Sequence, residues 1–387
     1  MNSETRLIFT GDIGFDKYMK GRENDEHLLA EDITSFLKDS DHVIVNVEGP
    51  LYDGASSGAG SAGSALPHSM DPNVRHFLNR INADIWNICN NHIMDAGYDG
   101  IRSTLDYAAE CNAKTLGAGM NISEASKPLI LDEAGGIGLI GVGYQRACRK
   151  ADESTPGCFS WSDLDLIREK IRDVKRSNRW CIIVAHAGEE FTALPSPYTR
   201  DRYMLYLDMG ADIVIAHHPH VVNNYELVGD KAIFYSLGNF IFDTDYQRSQ
   251  FGTQYGIVLK LFLSKTGFSF EPLPVMVDRT KETITVCDRP EIFTNVDALE
   301  YEKLKGLAAA VLIANTKRQL TYMRPDDFKG ASEDDFIRNF YEPLRSGRVP
   351  GETLDMQIIY PLSLTAGDGL YKESSLTGVV NYMLSQL

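Results

Sequence analysis

The sequence predicts an α/β protein built on mixed sheets, and three observations lead there. Short apolar runs alternate with amphipathic stretches over the first 220 or so residues, the pattern of strand and helix taking turns. From Lys231 onward the apolar runs Ala-Ile-Phe-Tyr, Gly-Ile-Val-Leu-Lys-Leu-Phe-Leu and Phe-Ser-Phe-Glu follow one another with only turn residues between, which reads as consecutive antiparallel strands. Polar residues of metal-binding type gather where the predicted strands stop, as in open α/β sheets, whose ligands collect at the carboxyl edge.

Arg6-Leu-Ile-Phe-Thr10 is the first predicted strand, and His42-Val-Ile-Val-Asn46 the second, after a helical segment from His27 to Lys38. Asp71-Pro72 supplies an N-cap and a first-turn proline for a helix through Ile81, and Asp84 to Ile88 is the next strand. Ile101, Leu105, Ala108 and Ala109 mark one face of a helix. Short strands are expected near Leu129, at Ile137 to Val142 and at Cys181 to Ala185, with a charged helix from Ser162 to Arg176. Asp212-Ile-Val-Ile-Ala216 then leads into His217-His218-Pro219-His220. Beyond about Pro290 the pattern turns helical, at Asp297 to Thr316 and Ser332 to Leu344, so the chain divides into a main domain, 1–288, and a helical accessory region, 289–387. Gly54 to Ser64 is a run of Gly, Ala and Ser, read as a surface loop in preference to a lid.

With 387 residues, 43% of them hydrophobic, core size is no constraint. A formal charge of −16 speaks against binding nucleic acid or anionic membrane, although a metal cluster reverses that sign locally. No stretch reaches the roughly 18 uninterrupted apolar residues of a membrane span, and polar Met1 to Thr5 runs straight into a strand. The cysteines form no CxxC pair, and Cys89 and Cys181 sit in apolar runs, so they read as reduced core thiols. A cytoplasmic location is therefore expected, with an exported or anchored form open if a leader was removed.

Five predicted strand ends carry candidate ligands: Asp12, Glu48 after Asn46, Asn91 and His92, His186 with Glu190, and His218 and His220 after His217. Each alone has a bland explanation as a turn or a hydrogen-bonded structural residue. Their joint placement, each at a strand end, favours a metal site. Carboxylate, amide and imidazole donors suit Mn, Fe or Zn, and the donor list exceeds the needs of one tetrahedral ion. Two ions about 3.5 to 4 Å apart, bridged by a carboxylate, are the economical arrangement.

At these residues the chain resembles the capsule-synthesis CapA family, the poly-gamma-glutamate capsule biosynthesis proteins, similar in fold and motif order to calcineurin-like metallophosphoesterases. The resemblance covers about three fifths of the chain, roughly Arg6 to Asp243. It rests on Gly11-Asp12, Asn46-Val-Glu48-Gly-Pro-Leu51, Asn90-Asn91-His92 with Asp95-x-Gly97, His186-x-Gly188-x-Glu190, Gly210-Ala-Asp212 leading into His217-His218-Pro219-His220, and Ser236-Leu-Gly-Asn-Phe240. It implies a four-layer αββα sandwich of two mixed sheets. It also implies that Asp12 and His220 hold one ion, that Asn91, His186 and His218 hold the other, that Glu48 bridges them, and that His92 serves as general acid or transition-state stabiliser. The chain departs from the metallophosphoesterase pattern twice. Gly14 stands where Asp-x-His would place an imidazole, so the first ion is expected to be weaker unless Asp16, Asn46 or water fills the gap, and the longer Glu48 replaces a bridging Asp.

Glu190 and His217 are candidates for hydrogen bonding to ligating imidazoles, His217 equally for a polar residue on the far side of the strand end. Asn239 is read either as a substrate contact or as a turn cap. Arg200 and Arg202 could clamp a carboxylate or phosphate, although a solvated helix start is the commoner meaning. Two functions follow: a metal-dependent hydrolase of phosphoesters or gamma-glutamyl amides, or a component that binds or processes an anionic, polyglutamate-like polymer without phosphatase activity. A structural metalloprotein is a third and weaker reading, because structural sites are closed. Oligomeric state is left undetermined.

Overall fold

A computed structural model describes residues 4–54, 68–143, 148–191, 193–195, 197–296 and 330. The predicted helices Asp297 to Thr316 and Ser332 to Leu344 lie outside these residues, as does the Gly/Ala/Ser run beyond Gly54. Two large sheets form the centre. In the first the strands run Thr283–Val286, Phe268–Asp278, Tyr255–Leu263, Thr5–Gly14, His42–Val47, Ala83–Asn87 and Lys114–Leu116, with Asn239–Phe242 alongside the end of Thr5–Gly14. In the second the order is Tyr225–Val228, Lys231–Phe234, Ile213–His217, Trp180–His186, Ile137–Gly143 and Leu129–Leu131.

Side-chain alternation along the strands builds the layers. Leu7, Phe9, Ile44 and Ile85 of the first sheet meet Leu139, Ile182, Val184, Ile213 and Ile215 of the second in one buried cluster with no α-helical residue in it. The alternate residues, Ile8, Val43, Val45 and Trp86 on one sheet and Ile140, Ile183 and Val214 on the other, pack against helices. Helices Glu31–Lys38, Val74–Arg80 and Gly97–Glu110 cover the first sheet, and Leu164–Lys175 and Pro197–Met209 the second. The result is the expected αββα sandwich of two mixed sheets.

Two expectations change. The strand Lys231–Phe234 does not open the antiparallel run; it lies parallel to Ile213–His217 and antiparallel to Tyr225–Val228 in the second sheet. The chain then crosses to the first sheet, where Asn239–Phe242 is parallel to the end of Thr5–Gly14, and only Tyr255–Leu263, Phe268–Asp278 and Thr283–Val286 form the antiparallel meander. Residues 289–296, grouped with the accessory region on sequence, pack on the sandwich: Phe293 joins the inter-sheet cluster, and Val296 N–H donates to Tyr225 O at 2.8 Å. All six cysteines are free thiols. Among the described residues no helix is long and apolar enough to cross a membrane.

Candidate metal centre

The inter-sheet core turns polar at the carboxyl ends of the strands. Asn46 follows Ile44, Asn87 follows Ile85, His186 follows Val184 and His217 follows Ile215, each two residues on and so on the same inward face. Asp12 reaches that face by a bulge. Ile8 and Ile13 both face the helical layer although they are five positions apart, an odd offset that strict alternation would put on opposite faces, and the pairing register shifts at Asp12. Gly11 makes room for this, since a Cβ there would lie 2.3 Å from Gly238 O.

Two groups of donors gather there, Glu48 with His186 and His218, and Glu48 with Asp12 and His220, with the donor atoms of each group within 4.8 Å of one another. Glu48 Oε1 lies 3.8 Å from His186 Nε2 and 3.4 Å from His220 Nε2. Asn91 Oδ1 is 2.7 Å from His186 Nε2, which adds an amide oxygen to the first group. His218 and His220 occupy left-handed backbone, at φ 95° and 56°, a conformation unusual for residues with a Cβ and common where a site dictates it.

These residues fit divalent cations. Glu48 is fully buried and neither carboxylate oxygen has a hydrogen-bond partner, a costly arrangement unless a cation takes their charge. Burial pushes its carboxyl up to about 8. Burial and the neighbouring imidazoles hold His186 and His218 well below the ordinary histidine value, in the neutral form that binds metal. Burial also works against charge on His220, yet the carboxylates of Glu48 and Asp12 raise it to about 10.

Partners aim the candidate ligands. Asn46 Nδ2 donates to Asp12 Oδ1 at 2.8 Å and lies 3.2 Å from His186 Nδ1, while its Oδ1 accepts from Asn87 Nδ2. Asn46 therefore orients two candidate ligands, Asp12 and His186, and is not turned toward position 14. Asn239 Oδ1 takes His220 Nδ1 at 3.0 Å, which leaves Nε2 toward Glu48, and its amide donates to Gln247 Oε1 and Thr253 O. His92 Nδ1 is 2.6 Å from Asp95 Oδ2. Burial alone would lower the His92 value, but Asp95, with Glu48 and Glu190, leaves it raised. Glu190 is buried, and its charge acts on Glu48, His92 and His220.

The other sequence candidates lie elsewhere. His217 Nε2 donates to Thr10 O at 2.9 Å, so this imidazole ties the second sheet to the first and does not support a ligand. Arg200 is buried on Glu226 by two bonds, 3.0 Å and 2.7 Å, and Tyr235 donates to the same carboxylate; Arg202 is buried with its guanidinium over Trp161. Neither arginine is a solvated helix start. Asp16 faces His68, 3.1 Å away, and does not fill the gap at Gly14. Phe242 fills it, because a Cβ at Gly14 would lie 1.9 Å from that ring. Sequence reasoning missed His68 and Phe242, since His68 follows the low-complexity run with no strand before it and Phe242 looks like any core residue.

The layering and the shared-carboxylate donor set define an αββα protein with a candidate metal centre between its two sheets. Residues 6–244 match the family model described as bacterial capsule synthesis protein PGA_cap, and the chain belongs to that family. It is 28% identical to the PGA biosynthesis protein CapA of Bacillus subtilis (strain 168) over 273 residues, 69% of this chain and 70% of that protein. To the capsule biosynthesis protein CapA of Bacillus anthracis it is 28% identical over 258 residues, 64% of this chain and 62% of that one. Among solved structures it is similar to a hypothetical protein from Thermus thermophilus, with a TM-score of 0.43 at 13% identity, covering 70% of this chain and 98% of that one. The purple acid phosphatase PPD1 of yellow lupin gives a TM-score of 0.33 at 12% identity, over 76% and 55% of the two chains.

Proposed function

We propose that the chain is a metal-dependent hydrolase holding two divalent ions, Mn, Fe or Zn, between its sheets. One group would be Asp12, Glu48 and His220, the other Glu48, Asn91, His186 and His218. The observation that carries this reading is the shared position of Glu48, a buried carboxylate with two unpartnered oxygens between two sets of donors. Ions held there would act as Lewis acids and acidify water, so that no separate strong base is needed.

The side chains then have distinct tasks. His92, its Nδ1 committed to Asp95, presents Nε2 as the proton donor. In hydrolysis the water oxygen bonds to the phosphorus or carbonyl carbon, and the bond to the leaving atom breaks with its electron pair. That atom takes the proton from His92 Nε2, and the proton lost by water restores the imidazole. Phe191 and Phe242 both stack against the His220 ring, which is buried.

The family supports a proposal for the substrate class. The names of the two relatives concern PGA and capsule biosynthesis, which supports an anionic substrate such as a gamma-glutamyl polymer. The same names favour a second reading, in which the chain binds or processes the polymer without phosphatase activity. The test is metal analysis of the purified protein, followed by turnover of phosphomonoesters, phosphodiesters and gamma-glutamyl peptides by wild type and His186→Ala. Two bound metals per chain with activity abolished in the variant is the expected result. Fewer than one transition metal with no gain on adding Mn would overturn the two-ion centre, and no turnover of either substrate class would leave the binding role.

A further inference from the structure

His68 is buried at the edge of the centre and held on three sides. Its Nδ1 lies 3.1 Å from Asp16 Oδ2. Its ring meets the His92 ring edge-on, with centroids 4.4 Å apart and planes at 86°, and Phe242 packs on it at 4.9 Å. Its backbone N–H donates at 2.7 Å to Asp95 Oδ2, the same oxygen that takes His92 Nδ1.

Packing alone does not explain this choice of residue. A phenyl ring would fill the same space without desolvating an imidazole or engaging Asp16, whose other oxygen already caps Lys17 N. The Asp16–His68 pair runs beside the Asp95–His92 pair, and the two meet through a ring contact and a shared carboxylate oxygen. We infer that His68, oriented by Asp16, is a positioning residue for His92, holding the imidazole so that Nε2 stays on the leaving atom during hydrolysis. This rests on the hydrolase reading given above. Burial, and then His92, keep the His68 imidazole below its ordinary value, which suits a neutral ring donating from Nδ1 to Asp16.

A residue that acts through the proton donor matters in proportion to how much the leaving group needs a proton. The experiment compares a nitrophenyl phosphate with an alkyl phosphate in metal-loaded, full-length wild type, His68→Phe and Asp16→Asn. In His68→Phe the alkyl ester should lose about 10- to 100-fold in kcat, while the nitrophenyl ester loses far less and KM and metal content stay the same. Asp16→Asn, which keeps the ring in place, should shift the ratio of the two substrates in the same direction by a smaller factor. An equal loss on both esters, a loss of metal, or an unchanged ratio in both variants would overturn the inference while leaving the hydrolase reading intact. Wild type inactive on both esters, with metal bound, overturns the inference together with the phosphoesterase form of the hydrolase reading.

Discussion

Phe242 lies flat against the imidazole of His220, with ring centroids 4.9 Å apart and planes 6° from parallel. The same ring occupies the space that a side chain at position 14 would need. The absence of a histidine there is therefore tied to a packed aromatic wall, and the wall helps to hold His220.

Gly14→His should consequently fail to add a ligand. Forcing a side chain into the Phe242 ring should destabilise the fold by about 1–3 kcal/mol, as overpacking generally does. It should also loosen the ion of Asp12, Glu48 and His220 while sparing the one at His186 and His218. Thermal melts and metal counts on Gly14→Ala, Gly14→His and the double variant Gly14→His/Phe242→Ala check this, and recovery of metal only in the double variant is the expected pattern.

Glu48→Gln keeps the shape of the side chain and removes its charge from both donor groups at once. Metal content should fall at both positions, and activity by on the order of 100-fold or more, since even the partners of ligands cost 10- to 100-fold when removed. His220→Ala should instead remove one ion. Titration with Mn, read by calorimetry, separates the two, and equal behaviour would mean that Glu48 does not bridge.

Arg200 and Glu226 form a buried bidentate pair, not a substrate clamp. Removing only the arginine leaves a buried carboxylate with its Tyr235 bond alone, so Arg200→Ala should cost about 3–5 kcal/mol. Replacing both by apolar residues of similar volume should cost much less. Activity per folded, metal-loaded molecule should stay at the wild-type value in the double variant, and a large rise in KM there would restore the clamp.

His42 gives a pH signature away from the centre. Its Nδ1 lies 2.6 Å from Asp84, and this hydrogen bond raises the imidazole above its ordinary value despite partial burial. A folded value above the unfolded one means that the stabilisation is complete below about pH 6.5 and fades as pH rises through the raised value. Because solvent reaches the pair, the gain is on the order of 1 kcal/mol or less. The melting difference between wild type and His42→Asn should be larger at pH 5.5 than at pH 9, and a gap that widens at high pH would refute the sign.

The sequence by itself determined the alternation of strand and helix, the strand ends that carry Asp12, Glu48, Asn91, His186, His218 and His220, and the apolar strand leading to His217. These are local signals, because side-chain alternation and a strand's last residues are written in consecutive positions. Tertiary structure alone decided the rest. The bulge at Asp12 arises from close approach to Gly238 and Asn239, which are far along the chain. The inward turn of His217 to Thr10, the pairing of Lys231–Phe234 with Ile213–His217 and the burial of Arg200 on Glu226 all depend on which element packs opposite. Phe242 against Gly14 and His68 against His92 belong to the same class: distant residues meet because two sheets close face to face, and local pattern carries no record of what a side chain finds on the other side.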